Sequence, residues 1–172
     1  MILLLNGAFG IGKTSVARIV VSRLPRAVLY DPELIGIALQ RLARAAGRDI
    51  PDFQDLRLWR RLTVAALRVV RLFRRNVVVP MAFSDAGYLQ EIRAGIRRFE
   101  SRQFHVCLVA PIEVVRQRLQ NRQVDPADAA WQDRRAAECC AVHQGAAFAT
   151  QVDADRDVNE IADEILRMVT AA

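Results

Sequence analysis

The stretch Gly7-Ala8-Phe9-Gly10-Ile11-Gly12-Lys13-Thr14 fits the pattern G-x-x-x-x-G-K-[ST], and its surroundings restrict the fold more than the string does. The apolar run Ile2 to Leu5 precedes it and reads as a buried strand. Ser15, Val16, Ala17, Ile19 and Val20 follow as the opening of a helix. A strand that turns through glycines into a helix aims successive backbone N–H groups, and the positive helix end, at one spot. That spot suits phosphate. The expected nucleotide-binding residues are therefore Gly7, Ala8, Phe9, Gly10, Ile11, Gly12, Lys13, Thr14 and Ser15. Lys13 would reach the β- and γ-phosphates of ATP, and the Thr14 hydroxyl would ligate Mg²⁺.

Composition strengthens the point at one position. The chain carries 25 Lys+Arg against 19 Asp+Glu, a formal charge of +6, and Lys13 is its only lysine. A general preference for arginine accounts for the rest. Inside a phosphate loop a compact ammonium on a flexible stem serves where a planar guanidinium does not. The same count excludes Schiff-base chemistry away from Lys13, and the Asn-Lys-x-Asp motif of guanine readers.

Short apolar runs alternate with longer helical patterns. Ile2 to Leu5, Ala27 to Tyr30, Val77 to Val79, His105 to Ala110 and Thr150 to Val152 read as buried strands. Helices are expected near 13–24, 33–46, 55–75, 86–101, 112–123, 131–147 and 157–170. This alternation predicts an α/β fold of three layers, a five-stranded parallel sheet flanked by helices and closed by a small lid. The lid is expected near 123–135, around a mobile loop from Gln123 to Ala129 that contains Pro126. With 172 residues, 52% of them hydrophobic and 26% charged, the chain suits one globular domain over 1–172. No apolar stretch approaches the roughly 18 residues of a membrane span, and no basic leader precedes Ile2, so a cytoplasmic location is expected. Three cysteines and two histidines make neither a disulfide framework nor a zinc site.

Charge is uneven. No acid lies between Asp55 and Asp85, while Arg57, Arg60, Arg61, Arg68, Arg71, Arg74 and Arg75 all do. On a helix, Trp59, Leu62, Ala66, Val69, Val70 and Phe73 would form an apolar stripe, with Arg57, Arg61, Arg68, Arg71 and Arg75 opposite. Such a face is either solvated or turned to an anionic partner, which would make peripheral membrane contact one of its uses. The lack of interleaved aromatics argues against nucleic acid. Pairing of two chains into a homodimer is left open.

Two further clusters point to the same chemistry. Asp31 ends the second strand, at the sheet edge where the phosphates would lie, and could hold a magnesium-bound water or take a proton from an acceptor hydroxyl. It could equally cap the next helix, with Pro32 at the first helical position. The third strand, from Asn76 to Met81, lacks a carboxylate of the Walker-B kind. Arg118 and Arg122 are one helical turn apart before the lid, placed to clamp a transferring phosphoryl group, with Arg134 and Arg135 as weaker candidates.

Taken together, Asn6-Gly7-Ala8-Phe9-Gly10 with Gly12-Lys13-Thr14, Tyr30-Asp31-Pro32-Glu33 with Gly36 and Ala38-Leu39, Asp52-Phe53-Gln54 with Leu58-Trp59-Arg60, and Val79-Pro80-Met81 resemble the ATP-binding tunicamycin-resistance proteins. The likeness covers nearly the whole chain. It implies a nucleoside-monophosphate-kinase-like fold, ATP and Mg²⁺ as cofactors, and action on tunicamycin or a related nucleoside or sugar compound as the small-molecule substrate. That action could be transfer of the γ-phosphoryl group to a hydroxyl, with Lys13, Asp31, Arg118 and Arg122 as the catalytic set. Alternatively, the drug could be bound and sequestered without chemistry. The implied substrate-binding residues are Gln54 to read a base edge, Trp59 to stack, Arg60 to meet an anion, and Phe83 bordering the crevice. Core packing is the other reading of Trp59.

Overall fold

The computed structural model describes residues 1–121, 126–148 and 150–171, without the side chains of 126–128. Five strands, β1 (Ile2–Gly7), β2 (Ala27–Leu29), β3 (Asn76–Met81), β4 (Gln103–Val109) and β5 (Thr150–Asp153), form one sheet in the order β2-β3-β1-β4-β5. Every pairing is parallel, with Leu4 opposite Val79 on one side and His105 on the other. Parallel neighbours need crossovers, and the helices supply them: α1 (Lys13–Arg23), α2 (Glu33–Ala45), α3 (Arg57–Phe73), α4 (Ala86–Arg97), α5 (Ile112–Gln120), α6 (Pro126–His143) and α7 (Val158–Thr170). The expected three-layer α/β sheet is what the chain forms.

Because β1 is central, alternate residues serve both faces. Leu3 and Leu5 join Val16, Val20, Ile161 and Ile165 on the side of α1 and α7. Ile2 and Leu4 join Leu67, Leu89, Ile92 and Ile96 on the side of α3 and α4. Burial on both faces explains why β1 reads as an unbroken apolar run rather than an alternating one. Central placement also sets the carboxyl end of β1, and the loop after it, in the middle of the sheet edge.

Two expectations need correction. The helix drawn at 131–147 starts at Pro126 and ends at His143, so the expected loop is helical from Pro126 to Ala129. A proline stops a helix from within but is well placed at its first turn, where its missing N–H costs nothing. The remainder of that expected loop and lid, at 123–125, falls outside the described residues. The second correction concerns α3, which buries Trp59, Arg60, Thr63 and Leu67 and leaves Leu62, Val69 and Phe73 exposed. The helix has two apolar faces, and the expected stripe joined the edge of one to the edge of the other.

Candidate nucleotide site and the wall beside it

The loop between β1 and α1 has the conformation its glycines allow. Gly10 and Gly12 adopt φ of 83° and 106°, in the left-handed region. A Cβ on Gly10 would come within 2.7 Å of Leu119, so α5 can rest on the loop only because that side chain is missing. The backbone N–H groups of Gly12, Thr14 and Ser15 have no hydrogen-bond partner among the described residues. Donors gathered unpaired at a helix N-terminus fit an anionic ligand with several oxygens, as a triphosphate has. Lys13 arches over the loop, donating from Nζ to the Ala8 carbonyl at 2.8 Å and lying 5.3 Å from the centre of the Phe9 ring. It is largely buried, and its stem is held before any ligand arrives.

A polar cavity of about 130 Å³ opens here, lined by Phe9, Gly10, Gly12, Lys13, Thr14, Ser15, Asp31, Glu33 and Pro80. Asp31 and Glu33 reach it because β2 ends beside β3 and α2 starts at the same sheet edge. Pro32, expected at the first helical position, is instead the N-cap of α2. Asp31 precedes it, and its Oδ1 accepts from the Glu33 N–H at 2.9 Å, so it serves the helix start while also lining the cavity. A carboxylate has further acceptor capacity after one such bond. Thr14 and Asp31 are hard oxygen donors of the kind magnesium takes alongside phosphate oxygens. The residues present therefore fit both ATP and Mg²⁺.

Glu33 received no role from the sequence, where it reads as an ordinary acid in the first turn of a helix. In the structure burial raises its pKa, opposed by the charge of Lys13 and reinforced by those of Asp31 and Asp52. Its spacing from Asp31, across one proline, was the signal available. Arg118 donates to the Ile11 carbonyl at 3.0 Å, so α5 delivers it to the phosphate loop. Arg122 lies outside the described residues. Arg135, a weaker candidate, proves well connected: it meets Asp52 at 3.1 Å, Ser84 Oγ at 3.1 Å and Glu138 at 2.6 Å. It thereby ties α6 to the loops before Phe53 and after β3. Burial raises the pKa of Asp52, with the Gln54 N–H and Arg135 opposing.

The four residues expected to hold a substrate are framework instead. Trp59 is 1% exposed, packed against Phe53 and Phe83 with ring centres 5.1 and 5.7 Å away, and its indole N–H donates to the Pro32 carbonyl at 3.0 Å. Core packing is the reading that holds. Gln54 donates to the Ala82 carbonyl at 3.2 Å. Arg60 is buried between Glu91 at 2.6 Å, the Gln54 carbonyl at 2.6 Å and the Tyr88 ring at 4.1 Å, so its charge is already answered. Phe83 is fully buried, its backbone N–H donating to Asn6 Oδ1 at 2.8 Å and its carbonyl 2.6 Å from His143 Nε2. Sequence order placed all four near the crevice but could not say which way each side chain points. Together they hold the Asp31–Pro32 turn and the end of β3 in place.

A glycine-cradled anion site on the carboxyl edge of an all-parallel sheet, with carboxylates beside it, defines a P-loop kinase-like protein. The AAA domain family matches residues 2–142, and the chain belongs to that family. No curated protein matches the chain. Among solved structures, the tunicamycin resistance protein of Deinococcus radiodurans is similar at 28% identity and a TM-score of 0.75, over 98% of this chain and 94% of that one. A gluconokinase from Sinorhizobium meliloti 1021 has 19% identity and a TM-score of 0.67, over 98% and 91% of the two chains. A sugar kinase from Janibacter sp. HTCC2649 has 15% identity and a TM-score of 0.72, over 99% and 95%. The last two share the fold. The first agrees with the resemblance drawn from the sequence motifs.

Proposed function

We propose that the protein is an ATP-dependent phosphotransferase that moves the γ-phosphoryl group to a hydroxyl of tunicamycin or a related nucleoside or sugar compound. The observation that carries this reading is the single cavity shared by Lys13, Thr14, Asp31 and Glu33. ATP bound at the loop would supply the phosphoryl group, and Thr14 and Asp31 would hold Mg²⁺, whose charge would offset that of the phosphates. Lys13 and the loop N–H groups bind and neutralise phosphate oxygens as charge develops. Asp31, fixed by its bond from the Glu33 N–H, accepts the proton of the acceptor hydroxyl. Glu33 lines the same cavity, its pKa raised by burial against the opposing charge of Lys13. Arg118 holds the loop from the α5 side. The similarity to the Deinococcus protein is the support for tunicamycin as the first acceptor to try.

The bond from the Glu33 N–H to Asp31 favours a second reading, a binder that sequesters the drug while ATP only orders the site. Mass spectrometry after incubation with ATP, Mg²⁺ and tunicamycin, and then with a panel of nucleosides and sugars, separates the two. A product heavier by one phosphate is expected, formed on the order of a thousandfold more slowly by Asp31→Asn. ATP and tunicamycin both bound with no product from any acceptor would overturn phosphotransfer.

A further inference from the structure

Helix α3 buries one face through Trp59, Thr63 and Leu67, and a surface helix ordinarily turns a polar face the other way. This one does not. Leu58, Leu62, Ala65, Val69 and Leu72 follow one another at steps of four and three residues, so they share one stripe, extended by Phe73. The stripe points away from the core, with Leu72 and Phe73 76% and 72% exposed. Arg57, Arg61 and Arg68 run along one margin only, and Arg75 follows just past the end of the helix. On that margin Arg98, just past α4, lines a cavity of about 330 Å³ together with Arg61, Val64, Gly95 and the ion pair of Arg60 with Glu91, so three arginines there face one carboxylate.

The acids in reach are already engaged, Glu91 with Arg60 at 2.6 Å and Glu100 with Arg71. Arg57, Arg61, Arg68, Arg75 and Arg98 have no carboxylate partner among the described residues. The face therefore combines a long apolar ridge with unanswered positive charge beside it. Whatever covers it must be apolar in the middle and negative at the edge.

We infer that this face docks the protein on an anionic phospholipid surface, with the stripe at the boundary of headgroups and acyl chains and the marginal arginines on lipid phosphates. Arginine stems can lie along the ridge while their heads stay at phosphate level. A second copy of the chain answers the requirement poorly. It would bring the same arginines and, between Asp55 and Asp85, no acid to meet them. An acidic helix of another protein would match the charge. Such a partner is an outcome of the test, since a face reserved for it would leave vesicle binding at background.

The test is flotation of the full chain with vesicles of phosphatidylglycerol and phosphatidylcholine, against vesicles of phosphatidylcholine alone. Binding is expected only to the anionic vesicles, falling at least tenfold when salt rises from 0.05 to 0.5 M and persisting in millimolar inorganic phosphate. Leu72→Glu with Phe73→Glu, at positions where nothing packs, is expected to cut partition at least tenfold, as is Arg61→Glu with Arg98→Glu. All variants should retain the melting temperature and ATP affinity of the parent, so the outcome is independent of the proposed phosphotransfer. Three results would each overturn the inference: equal partition of parent and variants, competition by free phosphate, or a stable dimer in solution that Leu72→Glu with Phe73→Glu dissociates.

Discussion

The phosphate loop and the aromatic wall beside it meet around Pro80 to Phe83 and are built on opposite rules. In the loop, N–H groups of Gly12, Thr14 and Ser15 have no partner among the described residues, and two carboxylates share a cavity with a lysine. In the wall, Trp59, Gln54, Arg60 and the Phe83 backbone each have a named partner within 3.2 Å. The loop's donors are open to solvent, and several of them converging with a lysine on one cavity at a helix N-terminus mark a place suited to an anionic ligand. A fully satisfied set marks scaffolding, whatever residue types it contains. Tryptophan and arginine near a crevice invite a binding role, and here satisfaction rather than identity decides against it.

The sharpest way to break this contrast is at Lys13. Lys13→Ala should lower single-turnover phosphotransfer on the order of a thousandfold or more, about 4 kcal/mol of barrier, with little change in chemical denaturation. A comparable loss of stability would mean that the loop, too, is scaffolding.

A smaller effect should come from His105, whose ring nitrogens are buried and without a hydrogen-bond partner among the described residues, away from the phosphate-loop cavity. Burial, with the charges of Arg93 and His143, lowers its pKa to about 4 from 6.5. The folded state keeps it neutral while the unfolded chain protonates first, so its contribution is whole above pH 6.5 and is lost as pH falls toward 4. Urea midpoints for the parent and His105→Leu should converge or diverge across that window by about 3 kcal/mol, the variant being less acid-sensitive. Equal acid sensitivity would show that this unpaired group is harmless, and weaken satisfaction as a criterion.

Trp59→Phe keeps one aromatic ring and removes the pyrrole part of the indole, with the N–H that meets Pro32. It should cost about 2 kcal/mol in denaturation while leaving the KM for tunicamycin within about twofold. A large KM change at parental stability would restore Trp59 to the substrate site. The smallest effect is expected at Arg118→Ala, where one hydrogen bond to the Ile11 carbonyl is lost. ATP affinity should weaken roughly tenfold, read by calorimetry.

What the sequence disclosed follows the same division. The loop was legible because its demands are local: glycines, one lysine and one hydroxyl at fixed spacing between a strand and a helix. The parallel sheet was legible because strands buried on both faces, such as Ile2 to Leu5, leave unbroken apolar runs. Side-chain direction at a distance was not. Gln54, Trp59, Arg60 and Phe83 come from two separate segments, and only their packing shows that they point at one another. Helix α3 misled for a related reason: with apolar residues on two faces, periodicity alone cannot say which one meets the sheet. Glu33 stayed hidden because an acid in the first turn of a helix has an ordinary explanation, and only burial beside Lys13 removes it.

Lys13 also has a practical consequence. As the only lysine among 172 residues, it is the only side-chain amine the molecule offers to an acylating reagent. It lies largely buried, tethered to Ala8 beneath Phe9, and should react slowly even in the empty protein. Covalent labelling of that amine, told apart from the Met1 α-amine by peptide mapping, is then a built-in occupancy gauge whose rate registers a ligand seated on the loop.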